Sequence, residues 1–216
     1  MRGLVWCLIV VFCFATTVEA KSKRKRRSVS APSVYSGPFS TVVIDAGHGG
    51  HDRGGIRQNI IPEKGVALDV ALRLSDSLRA AGLRTVLTRK NDTFIPLGRR
   101  VAIANAHRDA VFVSIHFNSG RRLAARGIET YYYSSASSGL ASRIHSAVLS
   151  TTTGDNRGIR RRGYYVLRRP SIRAVLVECG FLTNRQDAAL AQSAAYRQKL
   201  ADRIAGAIIS YRGQFR

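Results

Sequence analysis

The chain has 216 residues, 45% of them hydrophobic, which excludes global disorder and gives enough core for one α/β domain rather than two. Its formal net charge of +22 and pI near 11.3 exclude a surface indifferent to polyanions. Nucleic acid, anionic lipid and an acidic cell-wall polymer are the partner classes such a charge attracts.

Residues 1–20 read as a secretory signal. Arg2 gives a positive start, "LVWCLIVVFCFA" is an apolar core too short for a spanning helix, and Val18-Glu19-Ala20 is a small-x-small cleavage pattern. Cleavage after Ala20 removes Cys7 and Cys13 and leaves Cys179 alone, so no intramolecular disulfide and no cysteine-based metal site is expected. The basic run "KSKRKRR" follows at once, and positive charge there opposes translocation. Export to the periplasm or cell envelope is still the favoured reading. The paired arginines come after the apolar run, so a twin-arginine signal is not supported. Residues 21–39, rich in charge, Ser, Pro and Gly, read as a basic flexible linker, and 40–216 as the folded domain.

Periodicity begins at Thr41. "TVVIDAG" is a β-branched run closed by glycine, the pattern of a buried parallel strand. "EKGVALDVALRLSDSLRAAG" repeats apolar residues at helical spacing (Leu68, Ala71, Leu72, Leu78) and stops at Gly82. "LRTVLTR" is strand-like, Leu97–His107 a shorter helix, "AVFVSIHFN" another strand, then "GIETYYYSS". A helix is expected over Gly139–Leu149, a strand at "GYYVLR" and a strong one at "RAVLVECG". Asp187–Tyr211 has helical spacing in Leu190, Leu200, Ile204 and Ile208. Alternating strands and helices imply an α/β fold: a single open, mainly parallel sheet with helices on both faces.

Functional groups in such sheets gather beyond the carboxyl ends of the strands. Asp45 and His48 end the first strand, His116 and Asn118 lie at the end of "AVFVSIHFN", and Glu178 ends "RAVLVE". Glu63 precedes a helix in a loop that can return over the same edge. Two imidazoles and a carboxylate form a common catalytic zinc set with a fourth position left for water, whose pKa zinc lowers to about 7. A further carboxylate outside that set serves as general base and acid, a role that suits Glu178 at the end of an apolar strand. Each residue also has a plain structural reading: hydrogen-bonded histidine, helix-dipole partner, solvated carboxylate. Their joint occurrence beside the glycine loop "GHGGHDRGG" favours a site, with His51 the awkward extra histidine. There is no H-E-x-x-H, C-x-x-C pair, P-loop or G-x-S-x-G elbow. His107, near a helix end, and His145 fit structural readings.

Seven blocks, in order, carry a resemblance: "VVIDAGHGGHDRGG", "EKGVALDVALRL", "TRKNDTFIPLGRRVAIAN", "AVFVSIHFNS", "RGIETYYYS", "YYVLR" and "AVLVECGFLTNRQD". From about Thr41 to Tyr211 the sequence resembles the zinc-dependent N-acetylmuramoyl-L-alanine amidases of bacterial cell-wall remodelling. The resemblance implies a six-stranded sheet, one Zn2+ per chain held by His48, Glu63 and His116, and Glu178 as catalytic residue. It implies hydrolysis of the amide between N-acetylmuramic acid and the L-alanine of the peptidoglycan stem peptide, in wall remodelling or daughter-cell separation. Asp45 and Asn118 would orient ligands, and His51 would serve the loop or touch substrate. Arg53 stands where the family often has proline. Only "SASSG" separates the "YYYS" strand from the next helix, so the long blocking insertion of some members is not expected. The basic linker and "RGIRRR" at 157–162 would add affinity for anionic wall polymers. A nucleic-acid-binding protein would need none of the four site residues, and a catalytically dead wall-binding homologue would not keep them all.

Overall fold

Parity along the strands decides where each side chain goes in the computed structural model, which describes residues 34–55 and 59–215. The expected signal peptide and the linker up to residue 33 lie outside the described residues. Strands β1 (Thr41–Ala46), β2 (Arg84–Leu87), β3 (Ala110–Asn118), β4 (Ile128–Tyr132), β5 (Asn156–Arg161) and β6 (Arg173–Phe181) form one sheet in the order β2-β1-β3-β6-β4-β5. All neighbours are parallel except β4 and β6, which are antiparallel, so the sheet is mainly parallel as expected.

The helices are α1 (Glu63–Ala80), α2 (Leu97–Asn105), α3 (Ser138–Leu149), α4 (Tyr165–Arg168), α5 (Arg185–Gln192) and α6 (Ala194–Arg212). On one face, Val42, Ile44, Val113, Ile115, Val175 and Val177 bury against Leu74 and Leu78 of α1, Ile144 of α3 and Ile204 of α6. On the other, Val43, Phe112, Ala174 and Leu176 meet Val101 of α2 and Val166 and Leu167 of α4. In α1 it is Val70 and Leu74, rather than Leu68 and Leu72, that are fully buried. Gly82 ends α1 at φ 79°, a left-handed turn that glycine adopts without strain.

One expectation needs correction. "GYYVLR" is not a strand: Tyr165–Arg168 makes one helical turn that buries Val166 and Leu167 side by side. A short apolar run does not by itself separate strand from helix. The fifth strand lies upstream at Asn156–Arg161, with one aliphatic residue, because an exposed edge strand has little to bury. The helical spacing expected of the tail is carried by two helices, α5 and α6. Ser193 stands between them at φ −75°, ψ 120°, and its hydroxyl accepts from Tyr196 N–H at 3.3 Å to cap α6. The end of the expected linker lies on the domain: Tyr35 N–H donates to Ser171 O at 2.8 Å, and Phe39 is buried in the core.

Candidate metal centre

Cα pairing sets His116 of β3 opposite Glu178 of β6, and Glu178 opposite Glu129 of β4. Paired residues face the same way, so these three share the thinly covered face at one edge of the sheet. β4 runs against β6, which is why its beginning, not its end, reaches that edge. On the β1 side the row continues with Gly47, whose N–H donates to Ile115 O at 3.0 Å. A Cβ there would lie 2.4 Å from the His116 ring, so the glycine vacates the volume the imidazole fills.

Glu63 is the first residue of α1, after Pro62 with φ −62°, and its carboxylate turns back under the sheet edge. Its Oε1 accepts from Phe117 N–H at 3.0 Å and lies 2.8 Å from His116 Nδ1, and its Oε2 lies 3.1 Å from His48 Nε2. Burial alone would raise the Glu63 pKa, but hydrogen bonds and charge from the two histidines outweigh it and bring the group down to about 2. The carboxylate is therefore ionised across the physiological range. Burial presses the His48 pKa down, yet Glu63 and Asp52 outweigh that and raise it. His48 Nδ1 sits 2.8 Å from Asp52 Oδ2, and the other Asp52 oxygen accepts from Gly54 N–H at 3.0 Å. Gly54 also makes room, since a Cβ there would lie 2.5 Å from Glu63 Oε2.

One donor atom each from His48, Glu63 and His116 lies within 4.8 Å of the others. Two imidazoles, an ionised carboxylate, a hydrogen bond fixing the outer nitrogen of His48 and glycines that clear the space together fit a zinc ion.

Glu178 lies beside this group, with one carboxylate oxygen, Oε2, buried and without a hydrogen-bond partner among the described residues. Burial first, then repulsion from Glu63 and Glu129, pushes its pKa well above the usual carboxylate range. A cleft of about 400 Å³ opens over the site, lined by His48, Asp52 and His116 on one side and by Phe94, Leu97, Tyr164 and Tyr165 on the other.

The remaining expected residues fall elsewhere. Asp45 is buried and accepts from Thr88, Ser114 and Arg100, touching no proposed ligand side chain. Asn118 donates to Glu129 Oε2 at 3.2 Å, so its partner is the neighbour of Glu178. His51 is exposed and stacks on Phe94, 4.2 Å between ring centroids, outside the metal group. His145 is buried between Thr130 and Asn156, in keeping with its structural reading. Sequence reasoning missed Asp52 and Glu129. Asp52 stands four residues after His48, and Glu129 is a carboxylate inside an otherwise strand-like run, so both left a trace in the sequence.

The family model described as N-acetylmuramoyl-L-alanine amidase matches residues 42–210. N-acetylmuramoyl-L-alanine amidase LytC of Bacillus subtilis is 38% identical over 79% of this chain, which spans only 35% of LytC. Amidase AmiC2 of Nostoc punctiforme aligns with TM-score 0.76 and 40% identity, over 82% of this chain and 98% of that one. The catalytic domain of CwlV, an amidase from Bacillus (Paenibacillus) polymyxa, aligns with TM-score 0.76 and 38% identity, over 80% and 98%. A match running from the second residue of β1 almost to the end of α6 takes in all six strands, and it places this chain in the N-acetylmuramoyl-L-alanine amidase family, hydrolases of peptidoglycan.

Proposed function

We propose that this amidase works with one zinc ion held by His48, Glu63 and His116, and that Glu178 moves the proton. Zinc bound there supplies Lewis acidity, lowering the pKa of water to about 7 and polarising the scissile carbonyl. Glu178 takes the proton of the attacking water on its carboxylate and hands it to the amine of the leaving L-alanine. Burial, with repulsion from Glu63 and Glu129, raises its pKa above the usual carboxylate range, which makes the carboxylate a stronger base toward that water. Asp52 holds His48 in one orientation. Asn118 and Arg160, which pairs with Glu129 at 2.8 Å, hold Glu129 in place beside Glu178.

The observation that carries this reading is the convergence of three ligand-type atoms next to a carboxylate oxygen with no hydrogen-bond partner among the described residues. Its test is a digest of purified peptidoglycan with mass analysis of the products. Zinc-dependent release of stem peptides with a free L-alanine amine is expected, and release that survives complete zinc removal would sink the mechanism. His51→Ala should leave zinc stoichiometry unchanged.

We further propose export and action in the cell envelope, in wall remodelling or daughter-cell separation. Anionic wall polymers would be drawn by the basic linker and by Arg161, Arg162, Arg168 and Arg169, which have no acidic partner among the described residues.

A further inference from the structure

The carbonyls of Ala46, Gly47 and His48 all end on guanidinium groups. Arg89 Nε–H donates to Ala46 O at 3.0 Å, and its Nη2 donates to Gly47 O at 2.6 Å and Lys64 O at 2.8 Å. Arg100 Nη1 donates to Ala46 O and to Asp45 Oδ1, both at 2.6 Å, and its Nη2 donates to His48 O at 2.7 Å. Both arginines are almost wholly buried, at 4% and 3% exposure, with Asp45 the buried carboxylate between them. Burying two cations is unfavourable unless every donor finds an acceptor, and a well-packed apolar pair would often be at least as stable. Stability alone is therefore a poor reason for them to be here.

The backbone they hold is unusual. His48 has φ 60°, the sole positive φ outside glycine among the described residues, and Gly49 and Gly50 follow at 127° and 61°. A histidine in that region is strained and stays there only when its surroundings over-determine it. Arg89 adds a second constraint, since one nitrogen binds the carbonyl before His48 and the carbonyl after Glu63. From outside, Asp92 accepts from Gly50 N–H at 2.7 Å and from Lys64 Nζ at 2.5 Å, while Lys64 also donates to Gly50 O at 2.8 Å.

We infer that Arg89 and Arg100, helped by Asp92, are positioning residues that hold the loop of His48 and the first turn of α1 in ligand-ready form before any metal binds. The inference rests on the ligand reading above. The planar fork of arginine reaches two or three carbonyls at fixed angles, which the single ammonium of lysine does not.

The test uses full-length protein carrying Arg89→Lys or Arg100→Lys. Amide exchange at Gly49 and Gly50 in the chelated protein should be slow in wild type and at least about tenfold faster in each variant. Zinc affinity, measured by competition with a chromophoric chelator, should fall by about 10–100-fold. At saturating zinc, kcat and KM should return close to wild type, which a general loss of structure would not allow. Folded lysine variants with wild-type exchange, or with zinc affinity within about twofold of wild type, overturn the inference. If neither variant folds, Asp92→Asn, an exposed change on the same loop, should weaken zinc by about threefold to tenfold, and unchanged affinity overturns the inference. His116→Ala, run in parallel, separates the two ideas. Zinc held as tightly by that variant overturns the ligand reading, while exchange in the metal-free chain still decides whether the arginines order the loop.

Discussion

The two faces of the sheet carry two different sequences, read one residue out of step. Toward α1, α3 and α6, β3 presents Val111, Val113, Ile115 and Phe117, and β6 presents Val175, Val177 and Cys179, all buried. Toward α2 and α4 the same strands begin with Phe112 and Ala174 and then turn polar, through Ser114 to His116 and through Leu176 to Glu178. One face is apolar to its end and serves the fold. The other gives up its apolar character at Ser114 and His116 of β3 and at Glu178 of β6, where the short helices leave room for a cleft. Chemistry and core are thus separated by a single residue along each strand.

That contrast is best broken by neighbouring substitutions. Glu178→Gln should lower peptidoglycan hydrolysis by about 10²–10⁴-fold while zinc stoichiometry stays at wild type and the fold is no less stable. Wild-type turnover would remove Glu178 from the mechanism. One residue before the other half of the site, Ile115→Ala should do the reverse. It should cost about 2–5 kcal/mol in denaturant unfolding and leave kcat of the folded fraction unchanged. A smaller effect is expected at Gly47, where a Cβ would press on the His116 ring at 2.4 Å. Gly47→Ala should weaken zinc by about tenfold with little change in unfolding of the metal-free chain, as for other residues that orient a ligand.

The smallest effect is on pH dependence in metal-free protein. The raised folded pKa of Glu178 means the fold keeps a proton the unfolded chain releases, so its stabilising term is present at acid pH and is lost as pH rises. Asp45 works the other way. Burial pushes it up, but Arg100, Ser114 and Thr88 outweigh that and leave it below its usual value, so its contribution is lost as pH falls. In thermal melts, Glu178→Gln should match wild type near its ordinary value of 4.5 and be more stable by about 2–4 °C near neutrality. An identical profile for the two proteins would show that burial of this carboxyl carries no penalty.

Much of this was legible from residue order. Short apolar, β-branched runs marked β1, β3 and β6, and the polar residues ending those strands led to His48, His116 and Glu178. Strand direction was not legible, because such a run reads the same both ways. The reversal of β4 is what sets Glu129 beside Glu178. Asp52 was missed because its reach to His48 depends on a left-handed loop conformation that no hydrophobic pattern encodes. β5 was missed because an edge strand has no need of the apolar run that announces a buried one.

That edge has a colloidal consequence. β5 offers an open ladder to any passing strand, yet it carries Arg157, Arg160 and Arg161 and is followed by Arg162. Two copies approaching edge to edge meet like charge before any backbone hydrogen bond forms. The repulsion reaches only about 8 Å at physiological ionic strength. Concentrated salt, or a dense polyanion lying along the arginines, would therefore remove the barrier to self-association that keeps the strand unpaired. Light scattering at rising ionic strength should register this as growing particle size, and replacing the arginines with glutamate should abolish the polyanion's effect while preserving that of salt.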